Sequence, residues 1–138
     1  MDRILDIGKW LFPISFLMYV GLHLSKPDVG AAFVPDYLPF PYFLNYLTAV
    51  FIVAFIISAL TGKYDKLAYT LMALYVILMA FIVHLPRAMG SELDTAMMAD
   101  NLAREKELEM VNVFRNIMVC GALMGFARFV AKDKRVVG

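Results

Sequence analysis

The chain avoids charge over four long stretches, and that avoidance limits its possible folds more than any other feature. No Asp, Glu, Lys or Arg lies between Lys9 and Lys26, between Asp36 and Lys63, or between Lys66 and Arg87. After Glu109 only Arg115 interrupts the run to Arg128. About 20 helical residues cross the roughly 30 Å of bilayer hydrocarbon, so a chain of 138 residues has room for four crossings, short loops and one longer connection. The hydrophobic fraction of 62% agrees, because a soluble domain of this size could not hide so much apolar surface. The runs are continuously apolar rather than alternating, which favours helices over a membrane barrel.

The reading is therefore an all-α fold, a single bundle of four transmembrane helices over residues 1 to 138. The helices are expected near Ile4 to Leu24, Phe40 to Leu60, Leu67 to Leu85 and Met110 to Val130. The first run is read as a retained span, not a signal peptide, because Gly21 to Pro27 offers no small-x-small cleavage site. One cysteine, Cys120, permits no internal disulfide.

In this layout both termini and the second loop share a side with Arg3, Lys9, Lys63, Lys66, Arg128, Lys132, Lys134 and Arg135 against four acids. The other side holds Lys26, Arg87, Arg104, Lys106 and Arg115 against eight acids. The positive-inside rule places the termini in the cytoplasm. No basic patch with interleaved aromatics points to nucleic acid, and Lys132 to Arg135 reads as an anchor on the lipid surface.

The first external loop, SKPDVGAAFVPDYLPFP, contains four prolines and is expected to be extended and fairly rigid, with Tyr37, Phe40 and Tyr42 at interfacial depth. The turn TGKYDK should close an antiparallel hairpin. Ser91 to Glu109 is charged, with Ser91-x-x-Asp94 resembling a helix-start pattern and Leu93, Met97 and Leu102 as an apolar stripe. It reads as a short external amphipathic helix at the interface, between the third and fourth spans.

Polar residues in the spans cluster toward the outer side. Ser15, Tyr19 and His23 follow i, i+4, i+8 on the first helix, and Asn112, Asn116 and Cys120 do the same on the fourth, beside Arg115. Asn45 and Thr48 occupy the outer turns of the second helix, and His84 ends the third on a face shared with Ala73 and Ala80, small residues that permit close helix approach. His23, His84, Tyr19, Asn112, Arg115 and Asn116 are the candidate ligand-binding set. A buried arginine costs about 2.5 to 3.5 kcal/mol on insertion scales, and Arg115 lies close enough to its helix end to snorkel instead. Each histidine alone could equally be an interfacial residue bonded to a backbone carbonyl.

Three chemistries suit such a pocket. A quinone needs only one or two donors in an apolar cleft and is the favoured ligand. Paired imidazoles could ligate haem or a metal, but no third metal ligand is apparent and haem demands a large cavity, so haem is the weaker cofactor reading and no metal site is assigned. The polar groups could also simply knit the helices together. Met72, Met79, Met118, Met124, Phe51 and Phe55 read as packing or lipid contact. A transporter is disfavoured because the cytoplasmic halves lack a matching polar path.

The run from Gly21 to Pro41, with Gly21, His23, Pro27, Pro35, Leu38 and Pro39, resembles the DoxX-like family of small four-helix membrane proteins. A third span ending in a histidine near Pro86 and the segment FRNIMVCGALMGFA are similar to that family's third and fourth spans. The family is linked to quinol oxidation and redox complexes and includes accessory and assembly proteins; the resemblance implies a bacterial inner-membrane location. Two departures stand out: Phe51 to Leu60 lacks the acid that many relatives carry there, and the segment from Ser91 to Glu109 is longer and more acidic. The expectation is an accessory subunit that meets membrane lipids and docks a membrane or periplasmic partner, or another copy of itself, through its external loops. It would hold a quinone or lipid in the outer pocket. The alternative is a quinone-linked oxidoreductase component using the paired histidines.

Overall fold

A computed structural model describes Ile4, residues 6 to 91, residues 99 to 133 and residues 135 to 138. All regular structure among them is helical: α1 (Gly8–Ser15), α2 (Leu17–Ser25), α3 (Pro27–Ala31), α4 (Pro41–Thr61), α5 (Asp65–Met79), a π-helical turn (Ala80–His84), α6 (Leu85–Ala88) and α7 (Ala99–Phe129). Three helical stretches are long and apolar enough to cross a membrane: Pro41–Thr61, Asp65–Ala88 and Asn101–Phe129. The chain has the build of an integral membrane protein.

The first expected span is divided. Pro13 lies inside α1 and has no N–H to donate, and the helix is interrupted by a turn at Phe16, leaving pieces of 8 and 9 residues. Neither piece alone reaches the roughly 30 Å of hydrocarbon. The second and third spans lie within a few residues of expectation, but the third is not a uniform α-helix. At its end the Leu85 N–H reaches back to the Ala80 carbonyl, the wide turn of a π-helix. Pro86 follows; in an unbroken α-helix its ring would crowd the carbonyl four residues earlier, and the widened turn relieves that crowding.

The expected separate external helix is corrected over its described part. From Ala99 onward the charged residues belong to one 31-residue helix continuous with the fourth span. The segment Ala-Arg-Glu-Lys-Glu-Leu-Glu-Met is built of strong helix formers, and neither Gly nor Pro interrupts the chain from Ala99 until Gly121. A change of direction near Met110 has nothing to produce it. Leu93, Asp94 and Met97, on which the surface-helix reading rested, lie outside the described residues.

The first external loop also differs from expectation. It is compact, not extended: Pro27 sits at the first position of α3, where its fixed φ favours helix and its missing N–H is not needed, and turns follow as far as Phe40. Tyr37 and Phe40 remain 68% and 74% exposed. At the far end of α4, Gly62 takes φ +70°, the left-handed cap conformation glycine adopts without strain, and its N–H bonds to the Ser58 carbonyl.

The two-piece first segment, α4, α5 and α7 pack round one apolar core. Phe12 stacks on Phe126 at 4.6 Å, Phe16 meets Phe55 at 5.0 Å, and Tyr69 lies 5.4 Å from both Phe55 and Phe126. Such edge and stacked pairs each add about 0.5 to 1.5 kcal/mol beyond area burial. Met72, Val76 and Leu123 complete this core. Met118 and Met124 instead face outward, while Met72 and Phe55 are buried. Ala73 and Ala80 are buried where α5 and its π turn run against α7, as their small size suggested.

Candidate functional site

The polar residues gather at the end of the bundle opposite the α4–α5 turn, hereafter the histidine end. They form three groups, not one pocket.

The first centres on Glu109, a residue that sequence reasoning left at the edge of the external segment. Its side chain is only 4% exposed. One carboxylate oxygen accepts from His84 Nδ1 at 2.7 Å and from Asn112 Nδ2 at 3.2 Å, and the other accepts from Arg87 Nε at 2.9 Å. A buried carboxylate is tolerable only when paired and hydrogen-bonded, and this one has three donors. Arg87 extends the group into the loop. Its guanidinium lies 4.8 Å above the Phe33 ring and an N–H points to the Ala32 carbonyl at 3.5 Å, while Phe33 also sits 6.0 Å from the His84 ring.

The pairing was present in the spacing. His84 and Arg87 are i, i+3 at the end of one helical stretch, and Glu109 and Asn112 are i, i+3 within the facing helix, so each pair shares a face. The signal was obscured because Glu109 fell outside the expected fourth span.

The second group is His23 with Asn45. The Asn45 side chain, in a residue 2% exposed, donates through Nδ2 to the His23 carbonyl at 3.0 Å, which turns Oδ1 toward His23 Nδ1 at 2.5 Å. An amide oxygen can only accept, so Nδ1 carries the proton. Gly30 makes the closeness possible: a Cβ there would fall 1.8 Å from Asn45 Oδ1 and 3.2 Å from His23 Nδ1. Tyr42 adds a bond to Asp28 at 2.8 Å, tying α4 to α3 again.

The third group is Arg115 over the face of Tyr19, 5.8 Å from the ring centroid. Both residues are exposed, so Arg115 makes a peripheral cation–π contact rather than an inward one. Asn116 is half-buried and Ser15 is turned back on its own helix, bonding the Phe12 carbonyl at 2.7 Å. Thr48 faces inward and accepts from the Tyr75 hydroxyl at 3.2 Å.

Residues Gly30 to Phe33 touch both histidine groups, Gly30 against His23 and Asn45, and Ala32 and Phe33 against Arg87 and His84. In both groups Nδ1–H is held by an acceptor, which leaves Nε2 as the ring nitrogen not engaged in that bond. A held Nδ1–H fixes the orientation of each ring. No cluster of three or more His, Cys, Asp or Glu able to hold a metal occurs among the described residues. Of the clefts on the helix surfaces, one lined by Phe51, Ser58 and Leu71 and another between α5 and α7 include no histidine.

The opposite end carries a clasp that the sequence did not announce. Asp65, 4% exposed, accepts the backbone N–H groups of Lys132 and Asp133 at 2.9 and 2.8 Å. Asp133 reciprocates, accepting the Tyr64 N–H at 2.8 Å, and its carboxylate is gripped by the Arg135 guanidinium at 2.6 Å. Arg135, and then the Tyr64 N–H, hold the Asp133 carboxyl well below the usual carboxylate range. Arg135 also lies 4.7 Å above the Tyr64 ring.

No family model matches the chain, and neither does any curated protein or solved structure.

Proposed function

We propose that the chain is an integral membrane accessory subunit of the DoxX-like kind, with the divided α1–α2 segment as a fourth crossing, both termini cytoplasmic and the histidine end outside. Its work is to present the loop from Pro27 to Phe40 as a fixed docking platform for a membrane or periplasmic partner. One observation carries this reading: Arg87 ties the buried Glu109 of α7 to the loop through Ala32 and Phe33. A loop held this way leaves Tyr37 and Phe40 exposed in fixed positions, and a preordered surface binds at lower entropic cost than a mobile one. A photo-crosslinker at Tyr37, used in native membranes, tests it. The expected result is one discrete adduct that is lost when Arg87→Met releases the loop; a chain that crosslinks to nothing, or equally well after Arg87→Met, overturns it.

A second reading, a quinone-linked redox component, is favoured by the two histidines at one end of the bundle whose Nδ1–H groups are held by Asn45 and Glu109. A quinol hydroxyl could give its proton to the other ring nitrogen. Replacing both His23 and His84 by Gln should then abolish quinone turnover in the native complex. Full turnover after replacement sinks this reading.

A further inference from the structure

The larger cleft lies away from the histidines, along the seam between α5 and α7. It encloses about 380 Å³ and is lined by Lys66, Thr70, Ala73, Leu74 and Ile77 from α5 and by Cys120, Met124, Ala127 and Arg128 from α7. Ala73 and Ala127, both buried, line it, and their small side chains leave space that larger ones would fill.

Its walls are apolar except at one end. There Lys66 and Arg128 stand together at the start of α5 and the end of α7, the level at which a bilayer's headgroups would meet these helices. Neither forms an ion pair with a described residue. The neighbouring acids are committed elsewhere: Asp65 to the Lys132 and Asp133 amides, Asp133 to Tyr64 and Arg135. Thr70 gives its hydroxyl proton to the Lys66 carbonyl at 2.8 Å. Two cations with no ion-pair partner among the described residues thus cap an apolar furrow that runs from Lys66 to Ile77, roughly 16 Å at 1.5 Å per residue.

We propose that this furrow is a binding site for an anionic phospholipid, its phosphate held between Lys66 and Arg128 and one acyl chain laid along Ala73, Leu74, Ile77 and Met124. Charge complementarity selects the head, because a zwitterionic lipid brings its own cation to a site that already has two. The shape of the seam selects a chain over a bulky ring. The proposal is independent of the partner and quinone readings, since it uses none of their residues.

The test uses the full chain carrying Trp10→Phe and Leu74→Trp, which places the only tryptophan in the furrow, reconstituted in phosphatidylcholine bilayers with increasing phosphatidylglycerol. Bromine on the acyl chains of one lipid at a time quenches the tryptophan in proportion to occupancy. Phosphatidylglycerol is expected to occupy the furrow on the order of tenfold more strongly than phosphatidylcholine. Lys66→Gln with Arg128→Gln should erase the preference, while Lys63→Gln, a cation of the same turn that does not line the furrow, should leave it. Equal quenching by the two lipids overturns the proposal, as does a preference that survives the double replacement. Excess inorganic phosphate, compared with chloride at equal ionic strength, should leave the preference intact; abolition by phosphate would make the occupant a free anion.

Discussion

Glu109 shows how a single side chain can be essential without being irreplaceable. Removing one partner of a buried pair leaves the other charged and unmatched, which costs about 3 to 5 kcal/mol, whereas replacing the whole group by apolar residues is often neutral. Arg87→Met should therefore destabilise the protein by about 3 kcal/mol, and the triple variant His84→Leu, Arg87→Met, Glu109→Leu should recover most of that loss. Thermal unfolding in detergent, followed by helical circular dichroism, checks both. A triple variant as stable as the parent but inactive in native membranes would separate the network's functional role from its structural one. Gly30 offers a second test at this scale. Gly30→Ala drives a methyl group into Asn45 Oδ1, so the Asn45–His23 bonds must break, at about 1 to 3 kcal/mol for the buried polar groups left unmatched. A lowered unfolding midpoint with the overall helix content retained is the expected outcome.

Among the elements, α7 and the tail behind it have the clearest consequences. The Asp133 carboxyl has a lower pKa folded than unfolded, so its contribution to stability is fully present above the ordinary carboxylate range and is lost as pH falls toward the folded value. Acidification below about pH 4 should begin to loosen the tail from the α4–α5 turn. Amide exchange of residues 130 to 138 should rise with acid in the parent, and Asp133→Asn should show raised exchange already at neutral pH with little further change. Much of the element layout was legible beforehand, because uninterrupted apolar runs of about 20 residues admit few alternatives. What escaped reading were the local departures. Pro13 and Pro86 were visible, but whether a proline breaks, kinks or widens a helix depends on what packs beside it. Charge does not mark the start of α7, because Arg, Glu and Lys are good helix formers and neither Gly nor Pro stands between Ala99 and Gly121 to stop it.

For the whole molecule, the six candidate residues do not lie in one place. His84 and Asn112 share Glu109, His23 belongs with Asn45, and Arg115 lies outside on Tyr19. Spacing along one helix shows which residues share a face; it does not show which faces meet. The same limit applied to the Asp65–Asp133 clasp, whose partners are 68 residues apart in the chain. The clasp does place the α4–α5 turn and the C-terminal tail on one side of any bilayer. The number of crossings then rests on α1 and α2. If these form a fourth crossing, an impermeant thiol reagent should reach a cysteine placed at residue 2 and one placed at Lys63 from the same side of sealed vesicles, in a Cys120→Ala background. Labelling from opposite sides would establish three crossings.

That clasp also imposes an order on biosynthesis. Asp65 emerges with the hairpin of α4 and α5 and has the adjacent Lys66 amide, but the two other amides that satisfy it belong to residues made only after α7. Until α7 has entered the membrane beside α5, a carboxylate destined for burial must remain hydrated at the surface, holding the hairpin shallow. Insertion of the last helix is thus the event that lets the earlier hairpin settle, and an arrest of synthesis before Lys132 should leave the hairpin accessible to protease from the side of the turn.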